Sequence, residues 1–180
     1  MHAPQGIRNL LRAQYYFKSA DWQGNKPFPL KSSMASEMAK MPKYYIMDLD
    51  RSYAETMAAE MPPEGYIAAC KCLTDEESQV FATEYIRTGF QGGLNLYRIF
   101  EVAGDLNAFS GRKINVPALY IAGASEWGAY QSPGALEEMK DVCTQLVGSH
   151  FVQSAGHSIP EEQPEAVNRL LSEFLHRVNA

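Results

Sequence analysis

The sequence predicts an α/β protein, with a mostly helical region over residues 1–110 and a strand-and-helix region over residues 111–180. Residues 116–123 and 146–152 are short apolar runs, which are typical of buried strands. A helix is predicted after each run, and the second helix has one strongly apolar face. Strand, helix, strand and helix in succession form the repeating unit of a parallel sheet. These two helices are predicted at residues 133–142 and 163–178.

Helical spacing dominates the N-terminal region. Apolar positions over residues 7–17 recur on one face, which predicts a helix, whereas the glycine and prolines of residues 19–31 predict a loop. Thr74 and Glu77 have the spacing of a capping box, in which each side chain bonds a backbone N–H of the other residue. A helix is therefore predicted to start after Thr74. Further helices are predicted at residues 33–40, 44–61 and 94–102.

Composition excludes several classes of function. The net charge is -5 and the basic residues are scattered, which argues against a nucleic-acid partner. No apolar stretch approaches ~20 residues, so no membrane span is predicted, and the first residues lack the apolar core of a signal peptide. The three cysteines, Cys70, Cys72 and Cys143, lack the spacing of a zinc site. We expect reduced thiols, a cytoplasmic location, and neither a metal nor a cofactor.

An acid and a histidine follow the two predicted strands. Glu126 lies in the loop after the first strand, and His157 lies in the loop after the second. Because ligand sites form at the carboxyl ends of parallel strands, these side chains are candidates for chemistry. If the strands pair, Glu126 can accept a hydrogen bond from one ring nitrogen of His157 and leave the other nitrogen as a base. The alternative is a solvated loop acid and an ordinary loop histidine.

Three segments resemble epoxide hydrolases of the α/β-hydrolase fold. Residues 88–98 (TGFQGGLNLYR) are similar to the cap of that family, and residues 111–119 (GRKINVPAL) are similar to its return into the core sheet. Residues 156–168 contain Gly-His followed by Glu-Gln-Pro-Glu-Ala-Val-Asn, similar to its histidine loop and last helix. The order acid then histidine is also that of α/β-hydrolases. The resemblance implies a helical cap joined to the last two parallel strands of the core and their helices.

The resemblance also implies roles for particular residues. Tyr97 would be the cap tyrosine that protonates the epoxide oxygen, His157 would activate water, and Glu126 would orient His157. Trp127 and Tyr16 are candidates for substrate binding, and Tyr15 and Tyr16 are near the place of a second cap tyrosine. The reaction implied opens a hydrophobic small-molecule epoxide to a diol through a covalent ester, without a cofactor. The alternative for Tyr97 is a packing aromatic on a cap helix.

The sequence shows no nucleophile for this reaction. Asp21 in Asp-Trp-Gln-Gly superficially resembles a nucleophile, but no buried strand precedes it and no helix follows it. We therefore expect a truncated or partial form of a hydrolase. One alternative is a chain that complements a second polypeptide, and another is a non-catalytic small-molecule-binding or partner subunit. A different hydrolase activity, such as that of an esterase or a dehalogenase, is a further alternative.

Two strands alone leave an edge of the predicted sheet uncovered. Parallel sheets are normally buried on both faces, and exposed strand edges pair with other chains. We therefore expect self-association through this edge, with a hydrophobic small molecule as the other partner and neither nucleic acid nor membrane.

Overall fold

A computed structural model describes residues 3–70, 73–98 and 108–179. The following helices and strands lie in these ranges, in chain order: α1 (Ile7–Lys18), α2 (Ala35–Met38), α3 (Tyr53–Ala58), α4 (Glu64–Ala69), α5 (Asp75–Thr88), α6 (Gln91–Arg98), β1 (Ala118–Gly123), α7 (Ala135–Val142), β2 (Leu146–Val152), α8 (Ile159–Glu162) and α9 (Pro164–Asn179). Within these ranges, no helix combines the length and the apolar character needed to cross a membrane.

The two predicted strands pair in parallel, which confirms the predicted fold class. The register runs from Ala118 opposite Leu146 to Gly123 opposite Val152. α7 lies between the strands in the chain, as a parallel connection requires. β1 begins two residues later than predicted because Pro117 has no N–H to donate to a neighbouring strand.

Capping decides where two of the N-terminal helices begin. α5 starts at the predicted capping box, in which the Glu77 N–H donates to Thr74 Oγ1 at 3.3 Å and the Thr74 N–H donates to Glu77 Oε2 at 2.8 Å. The helix predicted at residues 44–61 is wrong over most of its length, because only α3 is helical there. Ser52 caps α3 with a second capping box, which ends the preceding turns and fixes the helix start.

Other boundaries shift by a few residues. The helix predicted at residues 33–40 is the short α2, and that predicted at residues 94–102 begins earlier, as α6. Residues 99–102 of that prediction lie outside the described residues. The domain boundary predicted between residues 110 and 111 stays a prediction, since residues 99–107 also lie outside them.

Helix α1 is the centre of the hydrophobic core. Leu10, Ala13 and Phe17 on this helix are fully or almost fully buried, and α1 packs on α3 and α5. Trp127, which follows β1, belongs to the same cluster of buried side chains. The helical region and the end of the sheet therefore share one core, and this positions α1 beside the strand ends.

Apolar side chains beside the sheet are in contact with solvent. Val116, just before β1, is 63% exposed, and Leu171 and Leu175 on α9 are also exposed. β2 is the strand that pairs with β1 among the described residues. Self-association through this edge stays a prediction.

A buried arginine ties α1 to the start of α5. Arg12 is 4% exposed, and its guanidinium donates to the Leu73 carbonyl at 3.2 Å and to Asp75 Oδ1 at 2.6 Å. The Asp75→Ala variant leaves this buried charge without its carboxylate, so we expect a loss of about 1–3 kcal/mol in the free energy of unfolding. Urea denaturation measures the loss. Glu76→Ala, in the same exposed helical turn, is the control and should unfold near the wild-type midpoint.

Candidate active site

The loops that follow β1 and β2 are joined by their backbones. The Ala124 N–H donates to the Val152 carbonyl and the Ser125 N–H donates to the Ala155 carbonyl, both at 2.9 Å. Gly123 makes this close approach possible, because a Cβ at this position would lie 2.1 Å from the Gly156 carbonyl oxygen. The two loops therefore lie against each other at the carboxyl edge of the sheet.

This packing brings together the predicted acid and histidine. Glu126 Oε2 lies 3.1 Å from His157 Nδ1. With its proton on Nδ1, the imidazole donates to Glu126, and Nε2 is left as an acceptor without a hydrogen-bond partner among the described residues. His157 is exposed, whereas Glu126 is 9% exposed. The arrangement suits a base whose orientation is set by a buried carboxylate.

Two further donors hold Glu126 in place. Its Oε1 accepts a hydrogen bond from the Tyr45 hydroxyl and another from the Gly128 N–H at 2.8 Å. Burial by itself would raise the pKa of the Glu126 carboxyl, but the bonds from His157, Tyr45 and Gly128 hold the pKa below its ordinary value. Glu126 is therefore a carboxylate at neutral pH, as a partner of an imidazolium must be.

Tyr45 is a site residue that the sequence did not reveal. It falls in the segment expected to be helical, and its partner Glu126 is 81 residues away. A tyrosine with no local motif gives no signal for such a contact. Burial, followed by the bond to Glu126, strongly raises the pKa of Tyr45. Its hydroxyl therefore serves as a hydrogen-bond donor to Glu126 rather than as a source of protons.

The end of α1 supplies the other wall of the site. The Lys18 carbonyl accepts the His157 backbone N–H at 3.0 Å. The Lys18 ammonium lies over the rings of Tyr44 and Tyr45, at 5.7 and 5.8 Å from their centroids. Burial lowers the pKa of Lys18, and the charge of Glu126 opposes this shift. Lys18 at the end of α1 thus contacts the histidine loop through its backbone carbonyl. Its ammonium contacts Tyr45, the partner of Glu126, through the aromatic ring.

Comparisons with known proteins bear on this arrangement. No protein-family model matches the chain. The curated epoxide hydrolase 3 of Siraitia grosvenorii is 35% identical over 112 residues, which are 58% of this chain and 35% of that relative. Epoxide hydrolase B of Mycobacterium tuberculosis is 34% identical over 104 residues, 57% of this chain and 29% of that relative.

Solved structures match nearly the whole chain. An epoxide hydrolase from an endophytic Streptomyces has a TM-score of 0.71 at 24% identity, over 96% of this chain and 46% of that one. An evolved variant of a potato epoxide hydrolase has a TM-score of 0.68 at 21% identity, over 97% and 48%. The chain has the fold of part of an α/β-hydrolase, and its sequence is similar to those of epoxide hydrolases. It matches about a third of the curated relatives' length and about half of the solved structures.

Tyr97 lies on α6 and is 66% exposed. No hydrogen bond joins it to Glu126 or His157 among the described residues. Its phenol is near that of Tyr53. Burial raises the pKa of Tyr53, and the phenols of Tyr97 and Tyr85 raise it further. The structure therefore places Tyr97 near Tyr53 of the helical region and does not bring it into contact with the acid–histidine pair.

The two candidates for substrate binding pack on other aromatic rings. Tyr16 on α1 lies against Tyr66, with ring centroids 4.5 Å apart. Trp127 is 3% exposed and lies in the core, with its ring centroid 5.1 Å from that of Phe28. At this position Trp127 packs in the hydrophobic core. Over the described ranges, no group of three His, Cys, Asp or Glu side chains could hold a metal ion.

The lowered pKa of Glu126 makes its contribution to stability depend on pH. The folded chain prefers the carboxylate more strongly than the unfolded chain, in which the pKa is near the ordinary 4.5. This stabilisation is fully present above pH 4.5 and is lost as the pH falls through the folded-state pKa. We expect the free energy of unfolding of the wild type, relative to Glu126→Gln, to decrease below pH 4.5. Urea denaturation at a series of pH values measures this difference, and an increase would contradict it.

Proposed function

We propose that this chain serves the hydrolysis of a hydrophobic small-molecule epoxide to a diol. The observation that carries the proposal is the 3.1 Å contact between Glu126 and His157 at the ends of two parallel strands. The names of the similar proteins support epoxides as the substrate class. Because the chain matches only part of those proteins, the activity of the whole protein belongs to the proposal.

The reaction has two steps. In the first, a carboxylate nucleophile attacks an epoxide carbon, the carbon–oxygen bond breaks, and the Tyr97 hydroxyl donates a proton to the departing oxygen. The product is an ester of the nucleophile. In the second step, His157 Nε2 takes a proton from water while the water oxygen attacks the ester carbonyl, and the acyl–oxygen bond breaks to release the carboxylate and the diol. The proton on the imidazolium then returns through solvent to the Tyr97 phenolate left by the first step. Glu126 stabilises the imidazolium that forms.

The nucleophile is the part of this mechanism for which the sequence offers no candidate. We therefore place it on a segment or polypeptide other than residues 1–180, with Glu126 and His157 supplied by this chain. The competing proposal is a non-catalytic binding or partner subunit built from the same elements. The two differ in whether His157 is needed for turnover, since a binding subunit would not use its Nε2.

The test uses the full-length product of the native gene, purified through a terminal tag. Styrene oxide is the epoxide probe, with p-nitrophenyl acetate and 1-chlorobutane as probes for esterase and dehalogenase activity. We expect diol formation from styrene oxide that the His157→Gln variant greatly reduces, and little turnover of the other two compounds. No diol formation, or formation that His157→Gln leaves unchanged, would contradict the proposal; preferred turnover of the ester or the chloroalkane would favour those activities.

Replacing Tyr97 tests the choice of epoxides as substrates. Without the phenol, the departing oxygen has no acid, so we expect Tyr97→Phe to slow epoxide opening by about 10²–10⁴-fold. Stopped-flow measurement of the first step on the same native gene product reports this rate. Tyr85→Phe is the control, because its ring keeps the stack on Phe90 at 4.6 Å. An unchanged rate for Tyr97→Phe would remove the argument that this tyrosine acts on an epoxide.

A further inference from the structure

A second carboxylate lies beside the histidine loop, at the end of α8. Glu162 accepts three backbone hydrogen bonds: Oε2 accepts the N–H groups of Ala20 at 2.8 Å and Gly156 at 2.9 Å, and Oε1 accepts that of Ser158 at 3.2 Å. Gly156 and Ser158 are the two neighbours of His157 in the chain. Ala20 belongs to the loop that follows α1. One carboxylate therefore bonds both sides of the histidine and the adjacent end of α1.

We propose that Glu162 is a positioning residue, which fixes the backbone of His157 so that its imidazole points toward Glu126. The effect of this positioning on catalysis rests on the proposed role of His157 as the base. Glu162 touches neither Glu126 nor the His157 ring through a hydrogen bond among the described residues, so it acts through the backbone. Without it, the N–H groups on both sides of His157 lose their acceptor.

The end of α1 also holds the histidine loop. The Lys18 carbonyl accepts the His157 N–H at 3.0 Å, and Gly156 lies so close that a Cβ there would be 2.2 Å from the same oxygen. Asn25 in turn fixes the end of α1, because its buried amide donates to the Phe17 carbonyl at 3.0 Å and to the Ser19 carbonyl at 2.6 Å. The backbone N–H of His157 is thus bonded by the end of α1, and those of its two neighbours are bonded by one carboxylate.

A carboxylate is better suited to this place than a neutral amide. Burial raises the pKa of the Glu162 carboxyl, and the charge of Asp21 raises it further, while the three N–H donors oppose the shift. A glutamine could offer one oxygen to Ala20 and Gly156, but its NH₂ group would then face the Ser158 N–H, a donor against a donor. Two acceptor oxygens are needed to satisfy all three donors.

Nitrogen-15 NMR of the full chain tests the assignment. The Glu162→Gln variant is compared with the wild type and with Glu161→Gln, which changes the exposed neighbour in α8. We expect Glu162→Gln to shift the His157 Nδ1 resonance and to accelerate amide hydrogen exchange at residues 156–158 by roughly tenfold. Amides of α1 and α5 should exchange as in the wild type, and Glu161→Gln should change neither measurement. If Glu162→Gln does not fold, Glu162→Asp, whose shorter side chain keeps the charge, should show the same local effect.

The outcomes separate this proposal from the proposed function. Unchanged His157 resonances in Glu162→Gln would overturn the positioning role. Exchange that accelerates equally throughout the chain would also overturn it, because Glu162 would then only stabilise the fold. A local effect together with no diol formation from styrene oxide would support the positioning role and contradict epoxide hydrolysis instead.

Discussion

Replacing Glu126 with alanine is expected to slow hydrolysis by about 10⁴-fold, the scale seen when a catalytic histidine loses its orienting carboxylate. The variant removes the acceptor 3.1 Å from His157 Nδ1. The imidazole is then free to rotate and to carry its proton on Nε2. A protonated Nε2 cannot take a proton from water. Diol formation by the native gene product measures the loss.

Two matched variants define what the loss means. Glu126→Asp keeps a carboxylate and should retain far more activity than Glu126→Ala. Glu138→Ala removes an exposed acid from α7 and should leave the rate unchanged. If Glu126→Ala hydrolyses as fast as the wild type, the acid–histidine pair has no part in the reaction.

The Gly156→Ala variant is expected to damage both the fold and the site. A Cβ at this position would lie 2.2 Å from the Lys18 carbonyl oxygen and 2.8 Å from the Ser19 carbonyl carbon, and both are backbone atoms that cannot rotate away. The histidine loop must therefore move away from α1. We expect a loss of about 1–3 kcal/mol in the free energy of unfolding, and loss of the His157–Glu126 hydrogen bond.

Gly65→Ala is the control for the change from glycine to alanine. Gly65 lies inside α4, and nothing lies within 4 Å of the place where its Cβ would be. This variant should be more stable than the wild type by about 0.5–1 kcal/mol, because alanine favours a helix. Thermal and urea unfolding compare the two variants. A Gly156→Ala variant as stable as the wild type, with an intact histidine signal, would show that the loop does not need this close contact.

The sequence was sufficient to predict those elements that depend on local patterns of residues. The apolar runs that became β1 and β2, and the Thr74 capping box, each depend on residues close together in the chain. The contact between Glu126 and His157 follows from one further rule, that parallel strands end at the same edge of a sheet. Ser52 and Glu55 have the same capping spacing as Thr74 and Glu77, so the true start of α3 was available from the sequence.

Long-range contacts explain what the sequence could not reveal. Glu162 bonds Ala20 across 142 residues, and Tyr45 bonds Glu126 across 81 residues. Neither residue type nor spacing indicates such partners, because only the packing of α1 against the strand ends brings them together. The same packing overrides the helical spacing near Tyr44, whose hydroxyl donates to the buried Asn25 at 2.6 Å.

The hydrogen bond between His157 and Glu126 is tested most directly by proton and nitrogen-15 NMR of the His157 ring in the 180-residue chain. The structure predicts a proton on Nδ1, strongly deshielded by the carboxylate, whose signal disappears in Glu126→Ala and persists in Glu138→Ala. A neutral ring that carries its proton on Nε2, or an Nδ1 signal that Glu126→Ala leaves unchanged, would contradict the pairing on which the proposed chemistry depends.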